Sequence, residues 1–186
     1  MKYLLRNNRD GTAAVYETTV DVSQDERYVY FDFVAEHSSC YCPYGNYNDI
    51  HSCGDAVELL IGTDPARKTY YELEVNPDNA KMLAKMTVTE LDGDGAAKLQ
   101  IDFINENDCF FRSTARKTNG GYAVNIVIDK VRLNMPVEQI YFNAYRLETD
   151  GGETEKHLFA INPTKCGKFH VPACYVMLRD YLSPGK

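Results

Sequence analysis

Tryptophan is absent from the 186 residues, so flat apolar contacts fall to 14 tyrosines and 8 phenylalanines. Long apolar runs are also missing. None approaches the roughly 20 residues a membrane-spanning helix requires, and no membrane association is expected. The opening "MKYLLRNNRDG" places only Tyr3, Leu4 and Leu5 between Lys2 and Arg6. That is too little for the apolar core of a signal peptide. The expected location is therefore cytoplasmic, or secreted if a leader was removed. Positive charge is scarce: 20 Lys and Arg face 27 Asp and Glu, for a net charge of −7. The basic residues do not gather, since "ARK" recurs only at 66–68 and 115–117. Nucleic acid is excluded as a partner, because phosphate binding needs a clustered cationic surface. Helical patterning is nearly absent, and "DKVRLNMPVEQ" predicts one short helical turn at most.

The chain is instead rich in alternation with a period of two. "RYVYFDFV" (27–34), "AVELLIG" (56–62), "TYYELEV" (69–75), "KLQIDFI" (98–104), "GYAVNIVID" (121–129) and "QIYFNAYRLE" (139–148) are read as strands. Their Tyr, Val, Ile and Phe content suits a pleated, half-buried surface. Turn signals separate them: "NRDG", "TDPARK", "NPDN", "DGDG", "TNGG" and "TDGG". The strands run the whole length with no Pro/Ser/Gly-rich linker, which predicts an all-β fold, one antiparallel β-sandwich over residues 1–186. Six cysteines, at 40, 42, 53, 109, 166 and 174, are irregularly spaced. In a chain with this much core they are expected as reduced thiols.

Three stretches in order carry a family resemblance. "GDAVELLIG" followed by "TYYELEVNPDN" is similar to an acidic residue, a Val-Glu strand and an Asn-Pro turn. "GYAVNIVID … IYFNAYRLE" supplies an amphipathic strand and a strand carrying Asn143 and Arg146. "LFAINPT … GKFHVPACYVML" supplies a closing Phe-His motif. Together they resemble the family 9 carbohydrate-binding module, a sugar-binding domain often attached to xylanases, over roughly residues 15 to 180. The resemblance implies a jelly-roll or immunoglobulin-like sandwich that binds a mono- or oligosaccharide without cutting it. It also implies calcium holding loops, with aromatic rings clamping the sugar. Where the family has a tryptophan near the C-terminus, this chain has Ile161, and His51 is the ring nearest the acidic strand.

The candidate residues follow from that chemistry. Sugar binding needs flat apolar faces and oriented polar groups, and tyrosine supplies both. Tyr41, Tyr44 and Tyr47, in the loop "CYCPYGNYND", either contact ligand or cover a sheet edge. Arg146 shares a face with Phe142 and Ala144 by alternation, so it either pairs with a carboxylate or reaches ligand. Glu58 and Glu72, on neighbouring strands, are its expected partners and further ligand contacts. Asn143 falls on the opposite face, where backbone structure is its expected role.

Other readings concern metal, catalysis and partners. His37, Cys40, Cys42, His51 and Cys53 offer ligand types that zinc accepts, at a spacing unlike a zinc knuckle. Asp92 and Asp94, with Glu106 and Asp108, offer carboxylates to calcium but fall short of its six to eight oxygens, so "DGDG" reads as a turn. Cys166 with His170, or Cys40 with His37, would be the thiol–imidazole pairs for cysteine catalysis. Neither matches a nucleophile motif, and no enzyme activity is expected. His170 and Phe169 are expected to lock the last strand. The competing class is a structural or interaction sandwich that has lost the sugar site and carries a Cys/His metal site. A third reading is a module that works beside a separate glycoside hydrolase.

Overall fold

The computed structural model of the chain describes residues 1–37, 39–50, 54–152 and 156–183. Thirteen strands are defined among them. They are β1 (Lys2–Leu4), β2 (Arg6–Asn7), β3 (Thr18–Gln24), β4 (Tyr28–Glu36), β5 (Ala56–Gly62), β6 (Thr69–Val75), β7 (Lys81–Leu91), β8 (Ala97–Phe103), β9 (Phe111–Thr118), β10 (Gly121–Asp129), β11 (Tyr141–Glu148), β12 (His157–Ala160) and β13 (Val176–Met177). The helical turn α1 (Lys130–Leu133) is capped by the Asp129 carboxylate, as "DKVRLNMPVEQ" predicts. A five-stranded sheet has the order β1-β3-β4-β10-β9. An eight-stranded sheet has the order β2-β12-β11-β5-β6-β7-β8, with β13 also pairing with β11. All pairings are antiparallel, and the two sheets pack face to face as a β-sandwich.

The inner layer follows the alternation. Val29, Phe31, Phe33 and Ala35 from β4 join Tyr122, Val124, Ile126 and Ile128 from β10. Facing them are Val57, Leu59 and Ile61 of β5, Leu73 and Val75 of β6, and Phe142 and Ala144 of β11. The Phe31 and Phe142 rings meet across the layer at 5.9 Å. The turn between β9 and β10 needs glycine at 121. There φ is +152°, and a Cβ would lie 1.9 Å from the Ala35 carbonyl oxygen.

The two sheets treat their outer faces differently. The small sheet alternates buried with exposed along β4, as a half-solvated sheet should. In the large sheet every residue of β5 is buried. A second apolar layer lies on its outer face: Leu60, Tyr70, Met82, Ala84, Met86, Tyr145, Ala160 and Tyr175, with Ile50. The strand β7, eleven residues long, was not among the six expected, because methionine, alanine and lysine are poor strand signals.

An ion pair sits inside the apolar sandwich. Arg146 has no exposed surface. Its Nη1 donates to Thr18 Oγ1 at 2.8 Å, and its Nη2 pairs with the Glu148 carboxylate two residues along the same strand. The guanidinium lies 5.2 Å from the Tyr122 ring centre and 5.8 Å from that of Phe159. Glu148 is anchored in turn by His37 Nδ1 at 3.1 Å and the Asp150 amide at 2.9 Å. Removing one partner of such a pair strands the other charge. Arg146→Ala is therefore expected to cost about 3–5 kcal/mol in urea unfolding followed by circular dichroism. Arg146→Met combined with Glu148→Gln should lose less than the sum of the single changes.

Candidate functional site

The outer face of the large sheet carries three carboxylates where apolar residues would be expected. Glu58 on β5 stands directly opposite Glu74 on β6, and Glu72 lies two residues before Glu74 on the same face. All three are buried, each less than a tenth exposed. Both strands are interior to the sheet, so no edge is available to carry these side chains to water.

The cover over this face is the segment from Asn162 to Tyr175. Asn143 Nδ2 donates to the Asn162 carbonyl at 2.8 Å, and the Tyr145 hydroxyl donates to the Phe169 carbonyl at 2.9 Å. The Phe169 ring stacks on Tyr145 at 4.2 Å, and Tyr175 meets Tyr70 edge-on at 5.1 Å. The His170 carbonyl accepts from the Ala97 amide at 2.7 Å, which reaches the far side of the sheet. His170 then points its ring at the carboxylates. Its Nδ1 lies 3.0 Å from the Tyr70 hydroxyl and its Nε2 lies 3.4 Å from Glu72 Oε1. With 26% of its side chain exposed, His170 is the rim of the cluster, and Glu72 lies just beneath it.

The electrostatics are one-sided. No Lys or Arg pairs with Glu58, Glu72 or Glu74 among the described residues. Burial, followed by the facing Glu72 and Glu74 carboxylates, holds the Glu58 proton on well above the usual carboxylate range. Burial and then Glu72 do the same for Glu74. Among the described residues, the buried Glu58 Oε1 meets no hydrogen-bond partner. One ligand atom each from Glu58, Glu72 and His170 lie within 4.8 Å of one another.

The structure brings some of the sequence-chosen residues here and takes others away. Glu58 and Glu72 meet on the outer face. Arg146 lies between the sheets, on the other side of the strand layer, with Glu148 as its partner instead of Glu58 or Glu72. Asn143 serves backbone carbonyls, and His170 and Phe169 clamp the C-terminal segment. The tyrosines of the loop do not form one platform. Tyr47 packs against the core between the sheets, and burial pushes its phenol up. Tyr44 is 40% exposed, and its carbonyl accepts from Asn76 Nδ2 at 3.0 Å. Tyr41 is tied down by its backbone to Asp55. The loop still borders the site, because Ile50 at its end packs into the outer layer.

The zinc and calcium candidates are placed as follows. His37 stacks on Tyr16 at 4.0 Å, and its two ring nitrogens lie 3.1 Å from Glu148 and 3.3 Å from Asp150. Burial, with Asp55 next for Cys40 and Asp78 for Cys42, pushes both thiols up, Cys42 to about 12. Both therefore sit as neutral thiols at neutral pH. His51 and Cys53 lie outside the described residues. Asp92 Oδ1 accepts from the Asp94 and Ala96 amides, both at 2.9 Å, and its Oδ2 pairs with Lys168, the geometry of a closed turn. Glu106 and Asp108 lie on a single helical turn. No helix is long and apolar enough to cross a membrane among the described residues.

The architecture is that of family 9 carbohydrate-binding modules. A "putative carbohydrate-binding protein" from Bacteroides uniformis superposes with a TM-score of 0.73 at 13% identity, over 94% of this chain and 84% of that one. A family 9 module from Caldicellulosiruptor kristjanssonii in complex with glucose gives 0.62 at 12% identity, over 99% and 85%. A family 9 module from the same organism in complex with cellotriose gives 0.63 at 12% identity, over 94% and 79%. No protein-family model and no curated protein matches the chain.

Asp55, the acidic residue before the Val-Glu strand, fastens the loop beside this face. It is 1% exposed. Its Oδ1 accepts from the Thr149 amide at 2.8 Å and hydroxyl at 2.6 Å, and its Oδ2 accepts from the Tyr41 amide at 2.8 Å. Asp55→Ala would leave buried donors unpaired and is expected to cost about 2–3 kcal/mol. Hydrogen exchange should show faster loss of protection at Tyr41 and Thr149 than elsewhere in the sandwich.

Proposed function

We propose that this chain is a non-catalytic carbohydrate-binding domain that takes a mono- or oligosaccharide at the rim of the outer-face cluster, where His170 reaches the surface over the buried Glu72. The observation that carries the reading is the polar cluster itself. Three carboxylates, an imidazole and three tyrosine hydroxyls converge on an interior stretch of sheet that packing alone would fill with apolar residues. A carboxylate accepts hydrogen bonds from two sugar hydroxyls, and a ring such as His170 or the exposed Tyr44 offers a flat face to sugar C–H groups. Modules of the same fold hold glucose and cellotriose. Binding without cleavage assigns any hydrolysis to a separate glycoside hydrolase.

A specific observation favours the competing reading of an interaction domain. Tyr70 and Tyr145 lie beneath the C-terminal segment, and they, Glu58 and Glu74 are all under a tenth exposed. A sugar would therefore meet the rim of the cluster and not its floor.

A glycan and polysaccharide panel, run with and without added calcium, separates the two. The sugar reading expects saturable binding of at least one glycan, and calcium dependence would add a loop-held ion to the account. Glu72→Gln should then weaken that binding about tenfold or more, since a hydrogen bond to a charged group contributes about 1.5–3 kcal/mol. A blank panel on protein shown to be folded would leave the interaction domain.

A further inference from the structure

We propose that Glu58, Glu72 and His170 form a binding site for one divalent transition-metal ion, zinc by donor type, on the outer face of the large sheet. The inference stands on the cluster's own geometry and does not depend on whether a sugar binds.

Three observations carry it. First, one pair of donors already stands at ligand spacing, with the third close by. Zinc bonds of about 2.0–2.2 Å to nitrogen and oxygen place two tetrahedral ligands about 3.3 Å apart. His170 Nε2 and Glu72 Oε1 are 3.4 Å apart, and the Glu58 oxygen completes a triangle within 4.8 Å. Second, Glu58 Oε1 is buried and meets no hydrogen-bond partner among the described residues. Such an atom can take a further contact. Third, the imidazole is already oriented by a second contact. Tyr70 holds His170 Nδ1 at 3.0 Å, and donation of the Nδ1 proton to that hydroxyl leaves the Nε2 lone pair facing the carboxylates, the usual arrangement behind a metal-bound histidine.

The donor set selects the occupant. Glu58 and Glu72 offer oxygen and His170 offers nitrogen, and no Lys or Arg pairs with either carboxylate among the described residues. A dication would take both carboxylates in their ionised form and displace any proton held there. Calcium is disfavoured, because it takes six to eight oxygens and this set contains a nitrogen. Two carboxylates and one imidazole leave a coordination position open toward the exposed side of His170, as in three-ligand zinc sites. Cys40 and Cys42 are not members of this group.

The test uses the full chain, stripped with chelator and dialysed, then titrated calorimetrically with zinc chloride alone. One equivalent is expected to bind, with a raised melting temperature. His170→Ala and Glu72→Gln are each expected to weaken binding at least tenfold, while Cys40→Ser/Cys42→Ser leaves it unchanged. Substitution of cobalt into the unmutated protein gives a readout that needs no variant to fold. It is expected to show weak visible bands without a thiolate-to-cobalt charge-transfer band. The absence of stoichiometric zinc binding would overturn the proposal. So would a strong thiolate band, or binding lost in the cysteine variant and kept in His170→Ala.

Discussion

The large sheet is buried on both faces, and that constraint governs most of the molecule. A sandwich needs only its inner faces covered, yet here a second apolar layer forms on the outside of β5, β6, β7 and β11. It can form only because the segment after β12 folds back across the sheet, pinned by Asn143, Tyr145 and the Ala97 amide. Each pin satisfies a polar group that the cover would otherwise strand without water. Any ionisable group caught under such a cover must find a partner, hold a proton or take an ion.

The two faces solve that problem in different ways. Inside the sandwich, Arg146 meets Glu148, Thr18 and two aromatic rings, so a charge of each sign is present and the two are paired. Outside, Glu58, Glu72 and Glu74 share a face with the His170 imidazole, which meets Glu72. The inner pair has the chemistry of structure. The outer set has carboxylates with no Lys or Arg partner among the described residues and a His170 edge that is partly exposed, a kind of cluster common where proteins meet ligands.

Much of the fold was legible in the sequence. The stripe Tyr122, Val124, Ile126 and Ile128 announces an inward face, and the structure packs all four against the opposing sheet. The β7 strand was not legible, because its outer residues Met82, Ala84 and Met86 are buried by a segment nearly a hundred residues away and carry no strand propensity of their own. Glu58 and Glu72 could be singled out as carboxylates on inner strands. Their expected pairing with Arg146 fails on parity: Glu58 alternates with the inward Leu59, whereas Arg146 shares the inward face with Phe142, and Glu148 is the carboxylate of matching parity. His170 could be placed in a closing motif but not over Glu72, since only the fold-back brings them together. The even spacing of Tyr41, Tyr44 and Tyr47 had no helix to give it meaning, so the loop turns Tyr47 to the core and Tyr44 to water.

The central claim is that the outer-face cluster is where this protein meets a sugar. Amide chemical-shift mapping with isotope-labelled protein and cellotriose tests it most directly, because it locates contact without altering a residue. The account predicts saturable shifts centred on Tyr70, Glu72 and His170, extending to the neighbouring loop around Tyr44. Shifts confined to another face, or none at saturating sugar, would contradict it.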